Sequence, residues 1–254
     1  MIVNTRRLFT ALLPALEIDT VCDVGSMDGA EALAFRAVLP GAAVLAFEAN
    51  PANFELMQAR ADLRDARIQL LPLAVTNFDG ETEFFVVRAG AESSGAAPNL
   101  RRGMSSLRRR PDHAEFPSAA TGVKTARLDT VLARAHSGAR VALWIDVEGS
   151  AHEAIEGAAA VLDRVQLLHV EVETWPCISP GQRLYPDVRA LLYQSGFVEL
   201  ATDNRRTATQ FNALFVRSSL PPRRWLPVAA RLSIASARSL AGRVVRRLRK
   251  LTLS

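Results

Sequence analysis

An α/β fold with a mainly parallel, doubly wound sheet is the class this sequence predicts, and three observations lead to it. Short apolar runs alternate with helix-period patterns along most of the chain, the signature of a parallel sheet covered on both faces. The first two runs, ending at Val24 and Phe47, are separated by a turn that contains Gly25 and Gly29. Acids gather at the C-terminal ends of the runs, at Asp23, Glu48, Asp146 and Glu171, which is the rim where ligands bind in sheets of this kind.

Taken in order, Arg6 to Leu16 faintly mimics a secretory leader but has no small-residue cleavage site before Asp19. It leads straight into the first core strand, so residues 1–19 read as an N-terminal covering helix. Strands are expected near Thr20 to Val24, Ala43 to Phe47, Arg67 to Leu71, Val141 to Asp146 and Gln166 to Val172, with a final strand from Phe211 to Val216. Helices are expected at Ala30 to Val38, Pro51 to Ala61, Leu128 to Ala135 and Ala151 to Leu162. Pro51 suits a first helical turn, where its missing amide hydrogen would have had no partner. Asp129 reads as a helix N-cap, because it begins an apolar helical pattern.

One interruption breaks the alternation. Gly80 to Arg88 reads as an extra strand after an Asp79-Gly80 turn, and the stretch from Ala89 to Gly122 has no periodicity. That stretch holds Met104-Ser105-Ser106-Leu107 and the run Arg108-Arg109-Arg110, and it suits either a solvated insertion or a lid over the substrate.

Composition narrows the function classes. The 254 residues are 49% hydrophobic and 22% charged, ordinary for a globular protein and enough for a substantial core. Cys22 and Cys177 are the only cysteines, and His113, His136, His152 and His169 are scattered, so neither a disulfide framework nor a metal site is expected. No apolar run reaches the length of about 18 residues that a membrane span requires. A reducing cytoplasm is the expected compartment.

The net charge of +5 is unevenly spread: nine arginines, one lysine and no acid lie from Arg217 on, which leaves −5 on residues 1–216. At helical spacing Ala237, Leu240, Ala241, Val244, Leu248 and Leu251 fall on one side of that tail, while Arg238, Arg243, Arg246, Arg247, Arg249 and Lys250 fall on the other. Residues 217–254 therefore form an amphipathic basic tail, able to dock on its own domain, to lie on an anionic membrane surface at the inner face, or to stay disordered. Nucleic acid is the least favoured partner, since Trp225 is the tail's only stacking aromatic.

The chemistry starts from the first turn. Glycines permit left-handed backbone and let a ligand approach without meeting a Cβ atom, roles open to Gly25 and Gly29 beside outward-facing helix amides. A dinucleotide fingerprint would need glycines at Gly25, Met27 and Ala30, and only the first is present. The pattern is instead Asp23-x-Gly25-x-x-x-Gly29, similar to the S-adenosylmethionine (SAM) loop of Rossmann-like methyltransferases. Glu48, an acid at the end of the second strand, has the chemistry to accept from two adjacent ribose hydroxyls. Further along, Asp146 and Glu148 end the Val141 strand, and Glu171 and Glu173 end the next; two residues apart, Asp146 and Glu148 share a face if the strand persists. A hydroxyl is a weak nucleophile, so methyl transfer to oxygen calls for a carboxylate to take its proton. Asp146 is the first choice, with Glu148 and Glu171 behind it, whereas His169 reads as a strand-core histidine.

The succession Asp23-Val-Gly25, Phe47-Glu48-Ala-Asn50-Pro51, Leu73-Ala74-Val75, Met104-Ser-Ser106-Leu, Arg127-Leu128-Asp129-Thr130-Val-Leu132 and Ile145-Asp146-Val-Glu148-Gly149 resembles the FkbM family of SAM-dependent methyltransferases, over roughly residues 20–216. The resemblance implies a Rossmann-like class I methyltransferase fold with a last antiparallel strand. It implies SAM as cofactor, held by Asp23, Gly25, Ser26, Gly29, Glu48, Asn50 and Ala74, with Asp146 facing the reacting methyl. It further implies O-methylation of a small-molecule or carbohydrate acceptor: a hydroxyl on a sugar, a polysaccharide precursor or a secondary metabolite. Two positions depart from the family pattern, Trp144 in place of its usual lysine and Ala151 in place of its usual acid. They favour the alternative of a weakened methyltransferase-fold protein that binds or scaffolds through its basic tail. A nicotinamide-dependent oxidoreductase is a third reading, and the glycine spacing opposes it.

Overall fold

The computed structural model describes residues 1–87, 102–111, 118–133 and 138–251, and side chains of the last helix as far as residue 237. Its elements are α1 (Thr5–Ala15), β1 (Thr20–Val24), α2 (Ala30–Val38), β2 (Ala43–Phe47), α3 (Pro51–Ala59), α4 (Ala61–Asp65), β3 (Gln69–Leu71), β4 (Ala74–Val75) and β5 (Gly80–Val87). There follow β6 (Ser118–Ala126), α5 (Leu128–Leu132), β7 (Val141–Ile145), α6 (Ala151–Glu156), β8 (Val165–Glu173), α7 (Tyr185–Gln194), β9 (Phe197–Thr202), β10 (Gln210–Arg217) and α8 (Pro222–Leu251).

The main sheet has seven strands in the order β3-β2-β1-β7-β8-β10-β9. Every pairing from β3 to β8 is parallel, and β10 runs antiparallel to both β8 and β9, so the last strand is wedged inside the sheet rather than added at its edge. All five residues of β1 and all five of β7 are buried, which is why β7 is apolar throughout and β1 is apolar except for Thr20 and Asp23. Leu143 and Ile145 face a core shared with α6 and α7. Ala142 and Trp144 face the opposite core, with Phe9 and Leu12 of α1, Phe35 of α2 and Val228 of α8.

The N-terminal helix is fixed at its start by Asn4, whose side chain accepts from the Arg7 amide at 2.8 Å. Leu8, Phe9, Leu12 and Leu13 are buried on its sheet-facing side. Helix α8 begins against α1: Val228 is buried, Trp225, Leu232 and Ala235 pack beside it, and Arg224 reaches Glu17 at 2.8 Å. The side chains from Arg238 to Lys250 that define the rest of the amphipathic pattern lie outside those described.

Several elements differ from the sequence expectation. A helix was expected from Pro51 to Ala61, but Arg60 is extended (φ −75°, ψ 117°) and splits it into α3 and α4. The helix expected to reach Leu162 stops at Glu156, and Gly157, which follows, packs so close to the Thr76 carbonyl that a Cβ would lie 2.0 Å from its oxygen. Helix α5 is described to Leu132, and the remainder of the expected Leu128 to Ala135 stretch runs into the undescribed 134–137. Asp129 is not the N-cap of α5, which is Arg127; its carboxylate instead accepts from the Ala160 amide at 2.9 Å and pairs with Arg127, tying α5 to the turn after α6. The aperiodic insertion ends earlier than expected, since Ser118–Ala126 is a strand that pairs antiparallel with β5 and parallel with β4. Its exposed positions, Ala120, Gly122 and Lys124, carry small or charged residues, and the strand has few apolar ones to mark it, which concealed it in the sequence. Residues 88–101 and 112–117 of the insertion lie outside those described.

Candidate active site

A cavity of about 470 Å³ opens at the C-terminal ends of β1, β2, β4 and β7. Its floor is the turn after β1, where Gly25 (φ +86°), Met27 (φ +54°) and Gly29 (φ +79°) take left-handed backbone. Gly25 and Ser26 donate their amides to the Phe47 carbonyl at 3.1 and 2.9 Å, which fixes the turn against the end of β2. A Cβ on Gly25 would lie 1.8 Å from the Asp146 carbonyl oxygen, so only glycine lets the two strand ends meet.

Glu48 is buried against the same cavity, and its two oxygens accept from the Met27 amide at 2.6 Å and the Asn50 amide at 2.7 Å. Burial raises its pKa, and those two amides oppose the rise. The Asn53 side chain also hydrogen-bonds to this carboxylate. Asp23 is fully buried beneath the loop: Ser26 Oγ donates to its Oδ2 at 2.5 Å, and Oδ1 has no hydrogen-bond partner. Burial pushes its carboxyl up to about 7.

The remaining sequence-expected residues divide. Gly25, Ser26, Glu48 and Ala74 line the cavity, as do Asp146, Glu148 and Glu171. Asp23, Gly29 and Asn50 sit behind it: Gly29 packs on Leu63, and Asn50 caps α3 through the Ala52 amide (3.1 Å) while its Nδ2 reaches Ser105 Oγ (3.4 Å). Sequence reasoning missed Met27, Asn53, Phe84 and Arg102, which also line the cavity. Arg102 Nε donates to Asn53 Oδ1 at 2.9 Å, and one of its terminal nitrogens is buried without a partner. The only signal for Arg102 lay inside the aperiodic insertion, and its pairing with Asn53 spans 49 residues of sequence.

At the far wall, Asp146, Glu148 and Glu171 each bring one oxygen to within 4.8 Å of the others. They meet by a different route from the expected one. Strand β7 ends at Ile145, and Glu148 folds back through a left-handed residue (φ +46°) instead of alternating along a strand. Burial raises all three carboxyls, Glu148 to about 7 with the Asp146 charge adding to it, and Asp146 and Glu171 hydrogen-bond to each other. One proton shared by that pair relieves the repulsion of two buried carboxylates. The three oxygens are close enough to share a cation, but a guanidinium already supplies positive charge there: Arg110 donates to Glu148 Oε2 at 3.2 Å.

Two arginines of the run, Arg108 and Arg110, are thus pinned, while Arg109 is exposed. Ser106 exchanges backbone hydrogen bonds with Phe85, its hydroxyl donates to the Glu148 carbonyl at 2.6 Å, and Arg108 donates to the Gly149 carbonyl at 2.7 Å and pairs with Glu153. The segment from Met104 to Arg110 straps the acid turn in place. The two departures from the family pattern are both buried. Trp144 stacks on His169 at 3.6 Å between ring centres and within 4° of parallel, and Ala151 begins α6 inside the core, where an acid would have no solvent.

This rim brings together a glycine loop after β1, a buried acid at the end of β2 and an acid cluster at the ends of β7 and β8. Residues 23–199 match the methyltransferase FkbM domain, and the chain belongs to that family. It is a SAM-dependent methyltransferase. Among solved structures it is similar to the magnesium protoporphyrin IX methyltransferase of Synechocystis PCC 6803 with bound SAH (15% identity, TM-score 0.45, covering 84% of this chain and 82% of that one). It is also similar to an rRNA methylase from Streptococcus thermophilus (13%, TM-score 0.46, 85% and 98%) and to precorrin-6y C5,15-methyltransferase from Geobacter metallireducens GS-15 (11%, TM-score 0.43, 84% and 87%). A search of curated protein sequences returns no match.

Proposed function

We propose that the protein transfers the methyl group of SAM to a hydroxyl oxygen of a small or carbohydrate acceptor, with Asp146 as the proton acceptor. The observation that carries this reading is that Asp146 lines the donor cavity while its neighbour Glu171 hydrogen-bonds to it, which leaves one ionised carboxylate at the wall where the methyl must leave.

The residues present fit the cofactor. Gly25 leaves a floor without a side chain, and Glu48 and Arg102 bring an acid and a guanidinium to the cavity wall. In this assignment Glu48 takes the ribose hydroxyls, Gly25, Ser26 and Met27 carry the amino-acid part, and Ala74 leaves room beside the base; Asp23 and Asn50 act from behind by holding Ser26 and the start of α3. When bound, SAM supplies a methyl carbon on a positively charged sulfur that departs as a neutral thioether. The acceptor oxygen forms the new bond to that carbon, and its proton passes to Asp146, so charge is conserved with no further reactant. Glu171 keeps the shared proton and thereby holds Asp146 ionised. Arg110 and Ser106 fix the turn that carries Glu148, and Phe84, Leu107 and Trp144 add apolar surface to the cavity that positions the reactants.

The test is transfer of labelled methyl from SAM into a polar extract and into a panel of polyhydroxylated compounds, with the methylated atom read by NMR. An O-methyl product supports the proposal. A product methylated only on nitrogen or carbon overturns the O-methylation.

A further inference from the structure

Helix α8 has two apolar sides, and its own domain covers one of them. Val228 is buried, and Trp225, Leu232 and Ala235 pack beside it in the core shared with α1. At 3.6 residues per turn these positions fall within about 60° of Val228 around the helix axis. On the opposite side the described residues are uncovered: Leu226 is 74% exposed and Ile234 52%, and Ala230 and Ala237 are exposed as well.

The helix is continuous to Leu251, so its register carries that uncovered side onward through the positions of Leu240, Ala241, Val244, Leu248 and Leu251. Within about 60° of the line opposite Val228, Arg223 in the first turn and Ser233 are the only polar residues of α8. The Ser233 hydroxyl donates to the Ala229 carbonyl at 2.9 Å, so it does not depend on water. Every cation after Ala237 falls outside the stripe, and the positions of Arg238 and Arg247 border it on either side. A helix docked through one side turns the opposite side away from its domain, so residues 1–216 cannot cover this stripe while Val228 stays buried.

We propose that α8 is an interfacial membrane helix, whose outward stripe lies at the headgroup boundary of an anionic bilayer with the bordering arginines on lipid phosphates. No helix among the described residues is long and apolar enough to cross a membrane, so α8 lies in the plane of the surface. Charge decides between this occupant and a second copy of the chain. Nine arginines and one lysine follow from Arg217 with no acid among them, so two paired tails would set cation against cation with nothing to neutralise either. An anionic surface supplies the missing charge, and the long arginine stems reach it from the edges of the stripe. The stripe is also wider than the two positions per heptad of a coiled-coil seam, since Leu226 and Leu240 flank it, and Ala230, Ala237 and Ala241 leave it shallow. Residues 1–216 carry −5, which keeps the catalytic domain off the lipid and leaves the contact to the helix.

The experiment is flotation of the full chain with vesicles of phosphatidylcholine alone and of phosphatidylcholine mixed with phosphatidylglycerol, at low salt. Ile234→Asp/Val244→Asp places two charges on the stripe, and Ser236→Asp/Gly242→Asp adds the same charge outside it. The expected result is flotation with the anionic vesicles, much less with the neutral ones, and binding at least about tenfold weaker in the stripe variant than in the charge-matched control. Circular dichroism and light scattering without lipid establish that both variants are folded and report their oligomeric state. A full chain that stays at the bottom of the gradient with anionic vesicles overturns the proposal. Equal binding by the two variants also overturns it, because charge alone then holds the protein. So does a lipid-free dimer that the stripe variant converts to monomer, since a second copy then covers the stripe.

Discussion

The Cβ position of Gly25 lies 1.8 Å from the carbonyl oxygen of Asp146, and the Asp146 amide donates to the Val24 carbonyl at 2.9 Å. The donor loop and the proposed proton acceptor are therefore one backbone unit, although 121 positions separate them in sequence. Gly25→Ala must both open that contact and hold an alanine at φ +86°, which alone costs roughly 1–3 kcal/mol. The expected outcome is a lower melting midpoint together with loss of SAM binding by calorimetry. Gly122→Ala, in β6 with open space around it, is the control and should change neither. Wild-type SAM affinity in Gly25→Ala would contradict this account of the loop.

Glu48 gives a sharper test of the donor site. Glu48→Gln keeps the size but replaces one acceptor oxygen with a donor that must face a backbone amide, at Met27 or at Asn50. Charge-assisted hydrogen bonds contribute about 1.5–3 kcal/mol each, so SAM affinity should fall at least tenfold. Unchanged affinity in a folded variant would remove Glu48 from the ribose.

For the chemical step, Asp146→Asn should lower turnover by about 10²–10⁴ while SAM affinity changes much less. Glu171→Gln retains a donor toward Asp146 and should lose far less. Because burial raises the Asp146 carboxyl, the rate should begin to fall with decreasing pH at a higher pH than an ordinary carboxylate would give. Equal rate losses in the two variants would mean that the pair acts as one base.

Stability should carry a pH signature from Glu173, which is buried near this rim with its carboxylate touching Gln182 at 3.2 Å, and whose pKa burial raises from 4.5 to about 7. The folded chain then keeps this proton where the unfolded chain has released it. The contribution is fully present below about pH 4.5 and is lost as pH rises to about 7. Glu173→Gln should raise the melting midpoint at pH 8, by a stabilisation on the order of 1–3 kcal/mol, and leave it nearly unchanged at pH 4.5. His169, lowered by burial to about 3, acts in the opposite sense and destabilises the fold as pH falls below 6.5. A midpoint for Glu173→Gln that tracks the parent at every pH would show that the carboxyl titrates normally.

The main sheet was legible in the sequence because its central strands are covered on both faces, and burial on both faces leaves a mostly apolar run in one dimension. Gly25, Glu48 and Asp146 were legible for a related reason, since parallel strands deliver their C-terminal ends to one rim and an acid at a strand end marks it. Strand β6 was hidden by its scarcity of apolar residues, β9 and α7 drew no notice, and Arg102 sat in a stretch without period. The fold-back of Glu148, the strap of Ser106, Arg108 and Arg110 over it, and the wall made by Trp144 stacked on His169 were decided only in three dimensions. Residue types and local spacing, which a sequence records, fix which strands form and where their acids emerge. Which carboxylate shares a proton, which arginine is paired and which side of a helix is covered depend on contacts between segments far apart in the chain, and those exist only after the sheet has brought them together.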